Sequence, residues 1–176
     1  MGVYSKLDPD EKIIQKIKDY KSMVIFGCEG CANDSIAFQK GYPLAEIIRD
    51  ENTGQEKYIP FALKKETSRL KKLLESKNIS TEIEIMFALC DMSPERESYI
   101  DNLLKNFPNL EAIITMCCPG GIISLKKVVP NSIRIIPAMK TQGMFHTYRI
   151  TDESGKFIKM DMEKTSYIKI YKEIEV

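Results

Sequence analysis

The sequence predicts an α/β fold: a doubly wound, mostly parallel open sheet of the Rossmann or flavodoxin type, carrying a β-hairpin appendage toward its C-terminal end. Three observations predict it. Short apolar runs alternate with amphipathic helical stretches, as β-α-β units require. The runs close on Gly or Pro, as at Gly27 and Pro137, rather than on hairpin turns. After Gly143 the pattern changes to short segments joined by a turn-like Asp152-Glu153-Ser154-Gly155.

Taken in order, Asp8 to Tyr20 sets Ile13, Ile14 and Ile17 on one face behind an Asp8-Pro9 start, and residues 1–21 are expected to form an N-terminal helical segment. Ser22 to Phe26 is a compact apolar run suited to a strand buried on both faces. Leu44–Arg49 and Lys57–Phe61 flank the turn-like Asp50-Glu51-Asn52-Thr53-Gly54 and read as a hairpin. Leu63, Leu70, Leu73 and Leu74 mark the apolar stripe of a helix over Ala62–Lys77. A strand over Glu82–Leu89 comes next, and Ser93-Pro94 then supplies the cap and first-turn proline of a helix that stops near Pro108. Ala112–Met116 and Ile133–Ile136 are two further strands, separated by a helix that opens at Pro119-Gly120-Gly121 and runs through Lys127. Phe145–Ile150 and Phe157–Asp161 form the appended hairpin, and Tyr167–Glu173 alternates like an edge strand. The chain thus divides into residues 1–21, a parallel-sheet core over 22–141, and a hairpin with a terminal strand over 142–176, all within one domain.

At 176 residues the chain is long enough to bury a core, and its 43% hydrophobic and 29% charged residues are those of an ordinary soluble globular protein. The first twenty residues lack the apolar core of a signal peptide, and no stretch approaches the length of a membrane span, which points to a cytoplasmic protein. A net charge of +1 lacks the basic excess of a nucleic-acid binder. Five cysteines in a reducing compartment favour metal binding or redox chemistry over disulfides. The single histidine, His146, excludes His-rich zinc or copper sites and leaves thiolate as the abundant soft ligand.

The cysteines are informative by position. Cys28 and Cys31 follow the first predicted strand of the core, Cys90 ends the second, and Cys117 and Cys118 end the third. In an open parallel sheet these strand ends share one edge, where ligands bind. Neighbouring strands lie ~4.8 Å apart, so loops leaving them bring sulfurs around one centre: two from the Cys-x-x-Cys, Cys90, and Cys117 or Cys118 as the fourth. Soft thiolates select an iron–sulfur cluster or zinc. Gly120 and Gly121, at a helix start, present backbone N–H groups to an anionic cluster, and Gly27 and Gly30 permit close backbone approach.

Other readings stand beside this one. A lone cysteine after an apolar strand is commonly a small buried hydrophobe, and a Cys-x-x-Cys also marks dithiol redox sites, though those need no companions at distant strand ends. His146 reads as a hairpin surface residue and Lys140 as a solvated cation. Asp91, Glu95 and Glu97 complement a helix N-terminus. Gly27-x-x-Gly30 lacks the third glycine of a dinucleotide site, and Pro119-Gly120-Gly121 lacks the lysine of a P-loop.

Four blocks, Gly27-Cys28-Glu29-Gly30-Cys31-Ala32, Cys90-Asp91, Met116-Cys117-Cys118-Pro119-Gly120-Gly121 and Ile136-Pro137-Ala138-Met139-Lys140-Thr141, together resemble the methylenetetrahydrofolate reductase C-terminal domain family. This family includes the small MetV-type subunit of the reductases of anaerobes. The resemblance spans roughly Met23 to Thr141. It implies a cysteine-ligated [4Fe–4S] cluster or zinc in an accessory, electron-transferring subunit of folate-linked one-carbon metabolism, with the flavin chemistry carried by a partner reductase subunit. Zinc would imply methyl transfer or a structural or regulatory role instead. By position Cys28, Cys31, Cys90 and Cys117 match the family's cysteines, whereas Cys118 stands where the family usually has glycine. The chain also departs at Ser35, where a third cysteine is usual, at Lys140, where asparagine is usual, and over Lys40–Pro60, which looks like an insertion.

Overall fold

A computed structural model describes residues 2–49, 54–153 and 155–170. The first half runs β1 (Gly2–Leu7), α1 (Asp10–Ile17), β2 (Ser22–Cys28), α2 (Cys31–Lys40), β3 (Ala45–Arg49), β4 (Glu56–Pro60), α3 (Phe61–Glu75) and β5 (Ser80–Met86). The second half runs α4 (Pro94–Lys105), β6 (Ala112–Met116), α5 (Pro119–Val128), β7 (Arg134–Pro137), β8 (Met139–His146), β9 (Arg149–Thr151), β10 (Phe157–Met160) and β11 (Ser166–Lys169). The architecture is mixed α/β: a parallel four-stranded sheet in the order β5-β2-β6-β7, with separate antiparallel sheets β1-β8-β11, β3-β4 and β9-β10.

The parallel sheet forms where the apolar runs are densest. Met23, Val24, Ile25 and Phe26 of β2 and Ala112, Ile113 and Ile114 of β6 are all buried, since both faces of these strands are covered. The stripe Leu63, Leu70 and Leu74 of α3 closes against β2 and β5. Gly27 lets that helix approach, because a Cβ there would lie 3.1 Å from Leu63 Cδ2. On the other side of β2 along the sheet, α5 packs against β7 and α4 against α5.

Register sets the strand ends level: Cys28 pairs with Met86 of β5, and Gly27 with Met116 of β6. The chain passes from β2 to β5 on one side, then returns past β2 to β6. Strand order therefore reverses between β2 and β6, and in open α/β sheets ligands bind beyond the carboxyl ends of the strands at such a reversal.

Three local expectations are corrected. Residues 2–7 are not helical. They form β1, the helix α1 starts only at Asp10, and the strand's position is set by α2. The amides of Val3, Ser5 and Leu7 donate to Cys31 Sγ at 3.4 Å, Ser35 Oγ at 3.1 Å and Gln39 Oε1 at 3.1 Å. Four helical residues rise ~6.0 Å and two strand residues ~6.8 Å, so a ladder of side chains on α2 matches alternate amides of β1. This also gives Ser35 a structural task. Secondly, β5 ends at Met86 rather than Leu89, because the chain turns sharply through Ala88, whose φ is +46°. Thirdly, Phe145 and His146 belong to β8, the centre of the sheet β1-β8-β11, and the hairpin is confined to β9 and β10.

Tyr4, Phe38, Phe145 and Tyr167 form an aromatic group between that sheet and α2, with Tyr4 and Tyr167 ring centroids 4.2 Å apart. Gly143 is required where β11 lies on β8, since a Cβ would stand 2.0 Å from the Ile168 carbonyl oxygen. The hairpin expected around the 50–54 turn is observed as β3-β4. Asp50–Thr53 of its turn, Ser154 of the second turn and the end of the terminal strand beyond residue 170 lie outside the described residues. The two hairpins meet: the Leu44 amide donates to the Ile158 carbonyl at 3.0 Å, and the Tyr58 hydroxyl donates to the Phe157 carbonyl at 2.8 Å. Among the described residues no helix is long and apolar enough to cross a membrane.

Candidate functional site

Each cysteine is delivered by a loop at the carboxyl edge of the parallel sheet. Cys28 is the last residue of β2 and is buried. The Glu29 amide then bonds the Met86 carbonyl at 3.0 Å, tying this loop to the end of β5, and Cys31 opens α2. Cys90 lies four residues past β5 in the tight turn and is exposed. Arg96, in the first turn of α4, clamps that turn by donating from Nη1 to the carbonyls of Ala88 at 2.8 Å and Asp91 at 2.5 Å. Cys117 and Cys118, both buried, follow β6 and precede Pro119 at the first position of α5.

All five are free thiols, and all five interact. The centre of the group is Cys118, the residue the resemblance left without a counterpart. Its charge acts on the ionisation of all four others, Cys28, Cys31, Cys90 and Cys117, and its sulfur and Cys90 Cβ both adjoin Gly120. The Cys31 thiol, together with the amides of Gly121 and Gly120, outweighs burial and lowers the Cys118 pKa to about 5. The other four move upward. Cys31 is raised by its bond to Cys118 and then by burial, while Cys28, Cys90 and Cys117 are raised first by burial and then by their neighbours. Amides of Leu89 and Gly30 partly offset this at Cys28. Burial and mutual charge oppose ionisation of several of these thiols together, and further thiolates call for a cation to neutralise them.

The glycines divide between two tasks. Gly27 faces Leu63 and serves helix packing. A Cβ on Gly120 would lie 3.0 Å from Cys90 Cβ and one on Gly121 2.9 Å from Cys117 Sγ, so these two leave room for the cysteines, whereas a Cβ on Gly30 would meet Cys28 Sγ at an ordinary 3.9 Å. Gly2 of β1 comes equally close, its Cβ position being 3.2 Å from Cys31 Sγ.

Thr115 supplies an independent observation. Its hydroxyl is fully buried and has no hydrogen-bond partner among the described residues. The neighbouring thiol is Cys117, whose ionised form this hydroxyl would stabilise by donating to it. A buried hydroxyl without a partner costs about 1–3 kcal/mol, and a thiolate held at Cys117 would recover this. A lone Thr inside the apolar run Ala112–Met116 was the sequence signal. Gly2 and Val3 left none.

The donor set, five sulfurs with no histidine among them, has the softness of an iron–sulfur or zinc site. Taken as point geometry, no group of three or more His, Cys, Asp or Glu among the described residues is spaced to hold a metal ion. The fit to a metal group therefore rests on donor chemistry, the orphaned Thr115 hydroxyl and the glycine clearances. The remaining candidates lie apart. His146 is exposed at the end of β8, its ring 5.1 Å from Tyr148, and Lys140 is exposed on the same strand. Glu95 serves the start of α4, where the Ser93 hydroxyl and its own backbone amide lower its pKa. Compared with protein-family models, curated proteins and solved structures, the chain matches none.

Proposed function

We propose that the chain is a cysteine-ligated iron–sulfur protein that serves as an accessory, electron-transferring subunit. In this reading its partner is a flavin-bearing reductase of the methylenetetrahydrofolate type, in the cytoplasm. One observation carries the reading: Cys28, Cys31, Cys90, Cys117 and Cys118, drawn from three separate stretches of sequence, interact at one sheet edge as free thiols. The motif resemblance supplies the partner and the folate-linked setting. The same proposal takes the parallel sheet as doubly wound and flavodoxin-like, supported by its strand order and by the separate packing of α3 and α5.

A bound [4Fe–4S] cluster supplies one-electron transfer. The chain's own residues hold and tune it. Cys28, Cys31 and Cys90 offer thiolates, with Cys117 or Cys118 as the fourth. The Gly30, Leu89, Gly120 and Gly121 amides stabilise negative charge on sulfur, a main control of cluster potential.

The test is anaerobic purification followed by quantification of iron, acid-labile sulfide and zinc. Iron with matching sulfide is expected. Stoichiometric zinc without iron would replace the cluster with a zinc–thiolate site, and protein free of metal after anaerobic reconstitution would overturn both.

A further inference from the structure

Two parts of the chain that the cysteine chemistry leaves unused, the 40–60 insertion and the C-terminal hairpin, come together beside the cysteine edge. Between them and the loops after β2 and β5 lies a cavity of about 350 Å³, lined by Glu29, Asp34, Tyr58, Phe87, Arg149 and Phe157 among others. Such a volume falls at the lower end of small-ligand sites. Glu29 and Gly30, the two residues between Cys28 and Cys31, form its inner wall. Any occupant would therefore touch the cysteine loop.

The lining specifies a chemistry. Phe87 is 65% exposed and Phe157 44%, which is unusual for phenylalanines gathered around one recess rather than scattered singly. Arg149 is already engaged: its Nη2 pairs with Asp34 Oδ2 at 2.5 Å, and its guanidinium lies over the Phe157 ring at 5.2 Å from the centroid. That pair is internally neutral, so the recess offers no free cation to an anionic ligand. Glu29 is the opposite case. Its carboxylate makes no ion pair or hydrogen bond among the described residues, and Lys57 acts on it only through longer-range charge. Aromatic walls with one uncommitted acceptor suit a flat ring that carries N–H donors.

We propose that this cavity is a binding site for a planar aromatic or heteroaromatic ligand bearing an amidine-like or amino N–H group, packed against Phe87 and Phe157 and hydrogen-bonded to Glu29. The site uses no cysteine side chain, so it stands or falls independently of the metal. The two hairpins hold its outer wall through the Leu44–Ile158 and Tyr58–Phe157 bonds and the Lys156–Glu56 ion pair at 2.6 Å.

Benzamidine is a suitable probe, being a single ring with an amidinium group, and benzoate has the same ring with opposite charge. Calorimetric titration of the full chain is expected to show saturable binding of benzamidine, at least tenfold weakening in Glu29→Gln and in Phe157→Ala, and no change in Glu11→Gln, a carboxylate on α1 that lines other surface. Native-like circular dichroism of the variants establishes that loss of binding is not loss of fold. Absence of saturable benzamidine binding, unweakened binding by Glu29→Gln, or tighter binding of benzoate than of benzamidine would each overturn the assignment.

Discussion

The two ends of the parallel sheet are built from the same four strands and are finished in opposite ways. At the amino edge the protein satisfies itself. The Ser80 amide bonds the Lys21 carbonyl at 2.8 Å, Glu111 the Ser22 carbonyl at 3.1 Å and Arg134 the Glu111 carbonyl at 3.0 Å, while the Glu111 carboxylate accepts from the amides of both Lys21 and Ser22. At the carboxyl edge the backbone is closed just as well, through Glu29 to Met86 and Ala138 to Thr115. Its side chains are not. Five thiols gather there, and among the described residues the Thr115 hydroxyl is buried without a partner and the Glu29 carboxylate stands unpaired beside a cavity. One edge ends the fold, and the other leaves polar groups whose natural complement is something the chain does not supply.

The difference can be broken by mutation, and the largest effect is expected from the sulfurs. Cys28→Ser and Cys118→Ser should each abolish the visible absorbance of anaerobically purified protein, whereas Glu111→Ala at the amino edge should leave it intact. Full absorbance in both cysteine variants would remove the metal from the comparison. Next comes pH. Above pH 6 Cys118 has already lost its proton, its pKa being about 5, while burial and the neighbouring sulfurs keep protons on Cys28, Cys31 and Cys90. With Cys118 as the fourth ligand, metal binding displaces roughly three protons, so the affinity of metal-stripped protein for Zn²⁺ should rise with pH by about three decades per unit. A competition titration between pH 6 and 7.5 measures the slope, and a flat profile would show that these thiols are not the ligands.

Smaller effects sharpen the contrast. Gly121→Ala puts a methyl group 2.9 Å from Cys117 Sγ, and a displacement there should lower metal affinity about ten- to a hundredfold, the usual scale for supporting residues. Thr115→Val should weaken metal binding by roughly tenfold, yet leave the metal-free protein as stable as before or more so, since it removes an unpaired buried hydroxyl. Thr115→Ser should restore affinity, and equal behaviour of Val and Ser would deny the hydroxyl its role. Glu111→Ala should do the reverse of Thr115→Val: a loss of about 1 kcal/mol, or ~2–4 °C in the melting temperature, with metal binding unaltered.

Much of this was legible in the chain. β2 and β6 read as buried strands because Met23–Phe26 and Ala112–Ile114 are apolar throughout, and Ser93-Pro94 marked the start of α4, where Ser93 Oγ does accept from the Arg96 amide. The hairpin β3-β4 followed from the turn chemistry between its strands. What escaped were interactions between elements. β1 carries no pattern of its own that calls for a strand, because its placement comes from Cys31, Ser35 and Gln39 on a helix. The end of β5 was misjudged because Leu89 is buried, and burial alone does not separate a strand residue from one tucked under a turn. Cys118 stands where the resembled family usually has glycine, yet its charge acts on thiols of both other cysteine loops.

The sequence alone determined the buried runs of β2 and β6, the starts of α3, α4 and α5 and the placing of the cysteines at or after strand ends, since periodicity, capping and composition act over a few neighbouring residues. Tertiary structure decided the strand order that opens a crevice between β2 and β6, the use of α2 to anchor β1, and the meeting of two hairpins around a cavity. These depend on register and packing between segments that can lie more than a hundred residues apart, whose free energy is shared by both partners and is written in neither alone.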